Sequence, residues 1–299
     1  MHRIKGFFKK LILEHKAKKQ VVLSRSRIGT FVLFLFLLLF CSFMILPMFY
    51  SVIQSLKPID EIFAFPPRFF VKNPTLSNFA QIFQLSDNLW VPFSRYLLNS
   101  VIVSAIGTFL NIIIATMAAY SLSKSKIRFR NAYTSMVVIA MMFQGEVTAI
   151  PQYIVISRLK LVDTYGAMIL PALASTMGLY LMKQFIISSI PDATLEAARI
   201  DGAGEFRILF NIVMPSVKPA MMTLLIFTFQ TFWNGTGTQY IFSEELKQLP
   251  SVLSTISAGG IVRAGAASAV SVMMMIPPIL IFIYSQSSVM ETMSHSGLK

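Results

Sequence analysis

Residues 196–215 read EAARIDGAGEFRILFNIVMP. The stretch opens acidic and alanine-rich, is interrupted by Gly202 and Gly204, and resumes with Phe206, Leu209, Phe210 and Val213 at the i, i+3, i+4, i+7 spacing of an apolar helix face. It predicts two short helices joined by a turn. Asp192, after Pro191, is the expected N-cap of the first, which runs over 193–201, and Pro215 is expected to end the second. The two glycines supply the freedom a turn needs. Ala197 and Ala198 leave a surface that a partner can approach closely, and Glu196 offers a charge to a basic partner residue.

The surroundings of this polar hairpin are apolar. Hydrophobic residues make up 55% of the 299-residue chain and charged residues 13%, where soluble domains carry about 25%. Six runs, 28–56, 96–123, 131–157, 164–182, 219–243 and 264–290, contain no Lys, Arg, Asp or Glu except Glu146. Each can hold the roughly 20 apolar residues that a bilayer core requires. The expected fold is all-α and polytopic, with six transmembrane helices over 28–290, a basic tail over 1–27 and a short tail over 291–299. The run 31–53 reads as an uncleaved first helix, because Pro47, Met48, Phe49 and Tyr50 offer no small-residue cleavage site.

The net charge of +13 raises nucleic acid as a partner, but its placement points to a membrane instead. If both termini are cytoplasmic, the cytoplasmic segments hold 18 of the 26 Lys and Arg residues and the outer segments hold eight, which is the positive-inside bias. Residues 196–215 then lie in the cytoplasm. The basic tail, with Phe7, Phe8, Leu11, Ile12 and Leu13 interleaved, reads either as a topology anchor or as an amphipathic helix on anionic lipid. One cysteine, Cys41, excludes an intrachain disulfide, and His2, His15 and His295 form no metal-ligand cluster.

Several intramembrane patterns suggest packing or a solute path. Ser100, Ser104, Gly107, Asn111 and Ala115 share one helix face, a stripe that suits close helix packing before pore lining. Gln144, Thr148 and Gln152 recur every four residues, whereas Glu146 lies about 200° round a regular helix from Gln144. An ionisable residue at that depth is a functional candidate; its alternative is a protonated or paired lock between helices. Thr223, Phe227, Gln230 and Asn234 share a face, with Trp233 beside them, and suit either sugar binding or interhelical and interfacial contacts. Pro277-Pro278 marks a kink or a hinge. In the connection between the first two runs, Ser77 is expected to cap a short helix through Phe83.

The hairpin resembles the EAA loop of bacterial ABC importer permeases, whose pattern is E-A-A, three residues, Gly, nine residues, Ile, one residue, Leu-Pro. Glu196, Ala197, Ala198, Gly202, Ile212 and Pro215 fall at those spacings, with Met214 for the Leu. The flanks extend the likeness to carbohydrate-type permeases, especially the maltose-permease-like second subunit. Pro74–Phe79 and the Gly145–Pro151 run resemble them too, and the tail over 291–299 resembles tails that reach toward the ATPase interface. Those permeases read Trp-Asn-Asp/Glu where this chain has Trp233-Asn234-Gly235, so a role for that acid does not carry over.

The resemblance implies a type I ABC importer fold in the bacterial cytoplasmic membrane and a sugar or oligosaccharide as the solute. Its implied partners are a second, related permease, two ATPase subunits and an extracytoplasmic sugar-binding protein. It implies an ATPase-coupling loop over 191–215 made of Glu196, Ala197, Ala198, Asp201, Gly202, Ala203, Phe206, Ile212 and Pro215, with a solute path near Gln144, Glu146, Thr148, Gln230, Trp233 and Asn234. The chain has no G-x-x-x-x-G-K-[ST] phosphate loop, so ATP-Mg is expected on the partners, with no enzymatic activity, cofactor or metal here. The alternatives are an importer of another solute, such as a phosphorylated polyol, or a stand-alone carrier driven through Glu146.

Overall fold

The computed structural model describes residues 26–87, 91–124, 128–143 and 145–296. Its principal elements are helices: α1 (Arg27–Ser55), α2 (Ser77–Asp87), α3 (Phe93–Lys124), α4 (Arg130–Ala140), α5 (Gly145–Arg158), α6 (Tyr165–Leu173), α7 (Thr176–Ser189), α8 (Asp192–Ile200), α9 (Glu205–Ser216), α10 (Lys218–Trp233), α11 (Leu249–Ser257) and α12 (Ala264–Ser296). No strand occurs among the described residues. Residues 1–25 of the basic tail, residues 297–299 and Gln144 lie outside them.

Three of the six charge-free runs, 28–56, 96–123 and 264–290, become long helices. α1, α3 and the Ile261–Met290 stretch are each long and apolar enough to cross a bilayer. Two bent pairs, α6 with α7 (42°) and α9 with α10 (81°), pass the same test together, which makes up to five crossings among the described residues. The run over 131–157 is not one helix. It is split into α4 and α5, because Met142 N–H turns back to the Ile139 carbonyl (3.0 Å) and Phe143 N–H to the Ala140 carbonyl (3.3 Å), tightening the helix end into a turn. α7 begins where Ser175 Oγ accepts from Gly178 N–H (3.1 Å). α10 opens after Val217 with Pro219 in its first turn, where a missing N–H costs nothing. It ends at Trp233, so the last ten residues of the run over 219–243 lie outside the helix. Ser77 is the first helical residue of α2 rather than its cap; its N–H donates to Thr75 Oγ1 (3.1 Å), the Leu76 carbonyl accepts the first helical bonds, and the helix continues to Asp87.

Two units separate at Tyr50. In the first, residues 26–50 bury no side chain; an apolar face all round a helix asks for lipid or protein around it. The second is organised on α3. Ser100, Ser104, Gly107, Asn111 and Ala115 are all buried, as a packing stripe requires. A Cβ on Gly107 would stand 2.5 Å from the Phe232 ring, so the glycine lets α10 approach α3. Asn111 Nδ2 donates to the Ala172 carbonyl (2.9 Å) and its Oδ1 accepts from Thr228 Oγ1 (3.3 Å), which joins α6 and α10 to α3. Trp233 is buried, stacks on Phe229 (5.5 Å, 15°) and donates its indole N–H to the Met274 carbonyl (2.9 Å), fixing α10 to α12.

Candidate functional site

The hairpin after α7 begins at Pro191. Asp192 is the first helical residue of α8 rather than its cap; its carboxylate accepts instead from Lys124 Nζ (2.7 Å) on α3. Lys124 Nζ donates also to the Ile190 carbonyl (2.7 Å). At the other end of α8, Ala203 N–H bonds the Ala198 carbonyl (3.0 Å) and Gly202 N–H the Arg199 carbonyl (3.1 Å). This pair of bonds closes a helix end on a left-handed residue, and Gly202 has φ +80°. Gly204 does not share that need: its φ is −70° and its ψ 159°, an extended geometry open to any residue. Only one of the two expected turn glycines is therefore required by the backbone.

α9 is not a uniform helix. Residues Glu205–Ile208 are α-helical, Leu209–Val213 form a π-turn and Met214–Ser216 return to α. The wider turn rotates the side chains out of the expected register. Ile208, Leu209 and Val213 are buried with Leu195, Ala198 and Val217 against Ala119 and Tyr120 of α3. Phe206 (70% exposed) and Phe210 (47%) point outward, so the expected face of Phe206, Leu209, Phe210 and Val213 is divided. Ile200 is 86% exposed beside them in sequence. Ala198 is buried, which corrects the expected Ala197-Ala198 surface; Ala197 alone is exposed. Glu196, Asp201 and Pro215 are exposed, and Ala203 and Ile212 are half-buried. Pro215 does not end the helix, which runs on to Ser216 and bends at Val217.

Charged groups tie the hairpin to α3. Glu205 accepts from Tyr120 Oη (2.5 Å) through one carboxylate oxygen and from Arg199 Nε (2.9 Å) through the other. Arg199 first, then the Tyr120 hydroxyl, holds the Glu205 carboxyl below the ordinary range, and Glu205 raises Arg199 in return. The Lys124 ammonium lowers Asp192 likewise. Between these ties lies a cavity of about 590 Å³ lined by Ser123, Lys124, Arg130, Asp192, Leu195, Glu196, Arg199 and Glu205. Arg130 Nη1 donates to the Ser123 carbonyl (3.0 Å) across it. Tyr120, Lys124, Arg199 and Glu205 were missed in the sequence, where their only trace is the four-residue spacing of the first two and the opposite charges of the last two.

The opposite end of α3 has another character. Asn99 Nδ2 donates to the carbonyls of Glu245 (2.8 Å) and Lys247 (2.9 Å), Tyr96 Oη to Glu244 (2.8 Å), and Ser100 Oγ accepts from Leu249 N–H (2.8 Å). Asp163 accepts from the Ser243 hydroxyl and from the N–H groups of Ser243 (2.9 Å) and Phe242 (3.0 Å); the hydroxyl first, then these N–H groups, hold its carboxyl below the usual range. A cavity of about 350 Å³ opens there, lined by Gln152, Thr231, Phe232, residues 235–240 and Gln248 among others, none of them charged. Of the expected path residues, Gln230, Asn234 and Thr148 are exposed and Trp233 is buried; none of the four lines that cavity. Tyr240, in its wall, donates to Gln152 Oε1 (3.0 Å).

Residues 111–283 match the model of the family described as binding-protein-dependent transport system inner membrane component. The chain is 30% identical over 226 residues to the polygalacturonan/rhamnogalacturonan transport system permease protein YtcP of Bacillus subtilis (strain 168), which covers 76% of each. It is 29% identical over 268 residues, 84% of this chain and 90% of the relative, to the sn-glycerol-3-phosphate transport system permease protein UgpE of Escherichia coli O1:K1 / APEC. Its fold is similar to a chain of a bacterial ABC transporter involved in the import of the acidic polysaccharide alginate, with a TM-score of 0.75 at 24% identity over 88% of this chain and 98% of that one.

Proposed function

The chain belongs to the family of binding-protein-dependent transport system inner membrane components, and from that premise we propose that it is the second permease subunit of an ATP-driven importer of a sugar or oligosaccharide. In this reading residues 28–290 cross the bacterial cytoplasmic membrane six times, with the third crossing broken at 141–143. The tails over 1–27 and 291–299 face the cytoplasm. A related permease completes the path, and an extracytoplasmic binding protein delivers the solute. Two ATPase subunits carry ATP-Mg and bind the hairpin over 191–215.

The observation that carries the reading is the hairpin itself. Its inner residues are packed against α3, while Ile200, Phe206 and Phe210 stand exposed next to Glu196 and Ala197. Exposed large apolar side chains grouped on a charged element mark a protein-contact surface. Gln144, Glu146, Thr148, Gln230, Trp233 and Asn234 remain candidates for the solute path in the assembled importer. The test is uptake by the reconstituted importer with ATP. Replacing Glu196 by Ala or Gly202 by Val lowers uptake per ATP hydrolysed while the subunit still inserts. Solute flux through this chain alone in liposomes overturns the reading.

The relation to UgpE favours one alternative, a phosphorylated polyol as the solute. A thermal-shift screen of the cognate binding protein against neutral oligosaccharides, oligogalacturonates and glycerol 3-phosphate decides between them. Stabilisation by glycerol 3-phosphate alone replaces sugar by phosphorylated polyol.

A further inference from the structure

We infer that α3 is a connecting rod that carries motion of the 191–215 hairpin to the segment over 244–249, through Tyr120 and Lys124 at one end and Tyr96, Asn99 and Ser100 at the other. The inference rests on the proposed reading of the hairpin as the ATPase-driven lever. Covalent connection alone would pass hairpin motion to α7, through Ile190-Pro191, and to α10, through Val217. α3 has no such connection, since it continues into α4. What joins it to the hairpin is apolar packing at Ala119 and Tyr120 together with two polar ties, and the ties reach opposite ends of α8. Lys124 holds Asp192 at the first residue (2.7 Å), and Tyr120 holds Glu205 (2.5 Å), which grips Arg199 near the last (2.9 Å). Residues 120 and 124 lie one turn apart on the same α3 face. A helix fixed at both ends to one rigid surface turns and translates with it, and Leu195 and Ala198 pack into the same seam.

The rod is suited to transmit. α3 has 32 residues, about 48 Å at the helical rise. It contains no proline, whereas α1 carries Pro47 and α12 carries Pro277 and Pro278. The α6/α7 and α9/α10 pairs are bent by 42° and 81°, so neither can transmit along a straight axis. At the far end α3 holds the segment 244–249 through four groups, three of them on its backbone: Asn99 to the Glu245 and Lys247 carbonyls, Ser100 to Leu249 N–H, Arg95 Nε to the Glu245 carbonyl (3.3 Å), and Tyr96 to the Glu244 carboxylate. That segment contains Gln248, which lines the uncharged cavity of about 350 Å³. Tyr120, Glu205, Arg199, Lys124 and Asp192 are positioning residues in this scheme, not solute contacts.

The experiment uses the whole importer in proteoliposomes, with Cys41→Ser and Glu245→Cys in this chain and no reactive cysteine in the other subunits. Glu245 is exposed and contributes only its carbonyl to the α3 contacts, so the probe leaves them intact. The rate of maleimide labelling at residue 245 is read without nucleotide and with ATP, magnesium and vanadate. A nucleotide-dependent rate change is expected in the parent. The tie-cutting pair Tyr120→Phe with Asp192→Ala should shrink that change about fivefold or more while ATP hydrolysis continues. Exchange of the ion pair, Lys124→Asp with Asp192→Lys, should keep the change and serves if the first pair fails to assemble. A parent with no change, a tie-cut importer with the parent's change, or an exchanged pair that loses it overturns the rod. Gly202→Val, which touches neither tie, separates the two ideas. Loss of the change with Gly202→Val but not with the cut ties rejects the rod alone, and persistence with Gly202→Val rejects the lever.

Discussion

The two ends of α3 meet different partners. At the hairpin end, Tyr120 and Lys124 engage carboxylates on exposed or half-exposed helices, and beyond them Phe206, Phe210 and Ile200 remain uncovered. At the far end, Asn99 and Ser100 are fully buried and bond mostly to backbone. Amides and hydroxyls that saturate buried backbone groups lose more when cut than ion pairs that water can replace. The hairpin end is therefore the adjustable one, and the far end is fixed to its loop.

The largest effect that would break this contrast lies near the far end. Trp233→Ala removes a buried ring, its stack on Phe229 and its bond to the Met274 carbonyl. The expected cost is about 3–5 kcal/mol, seen as a lower heat-unfolding midpoint of the detergent-solubilised subunit; a change near zero would show that α10 and α12 are held by other contacts. Next is the backbone of the hairpin. Gly202→Val places a β-branched residue at φ +80° and should cost about 1–3 kcal/mol. Gly204→Ala, at φ −70° with open space around its Cβ, should stay within about 0.5 kcal/mol. Equal effects of the two would remove the special role of the left-handed turn.

Acid sharpens the comparison further. Glu205 and Asp192 have carboxyls depressed by Arg199 and Lys124, so their ties are complete above the unfolded values of about 4.3 and 3.9. The ties are lost as pH falls through the lower folded values. Labelling at residue 245 should stay nucleotide-dependent from pH 7 down to about 4.3 and fade only as pH falls further, through the lower folded values, with Glu205→Gln weakening it at every pH. The smallest effect concerns the uncovered face. Phe206→Ser should leave the unfolding midpoint within about 0.5 kcal/mol yet reduce the ATPase that copurifies with the subunit. An unchanged yield of ATPase would place the contact elsewhere on the hairpin.

Legibility followed the range of the interaction. α3 spans Phe93–Lys124, close to the charge-free run over 96–123, and its small-polar stripe is buried as its spacing requires. The first hairpin helix, Asp192–Ile200, falls close to where the alanines and Gly202 place it. The side each residue shows was less legible. Ala198 turned inward, Phe206 outward, and the π-turn at Leu209–Val213 has no signature in a 3.6-residue period. The split of 131–157 into α4 and α5 was hidden, because an apolar run marks what can enter a membrane without marking where the backbone tightens.

The sequence by itself determined the helical, membrane-compatible character of the chain, the bounds of its longest central helix and the spacing that marks the hairpin. Each of these depends on residues within one or two helical turns. Tertiary structure decided which acid serves which base. Glu205 meets Tyr120 across 85 residues and Asp192 meets Lys124 across 68. No local periodicity encodes such pairs; they exist because α3, α8 and α9 bury their apolar faces together and bring the polar ends of those faces into reach.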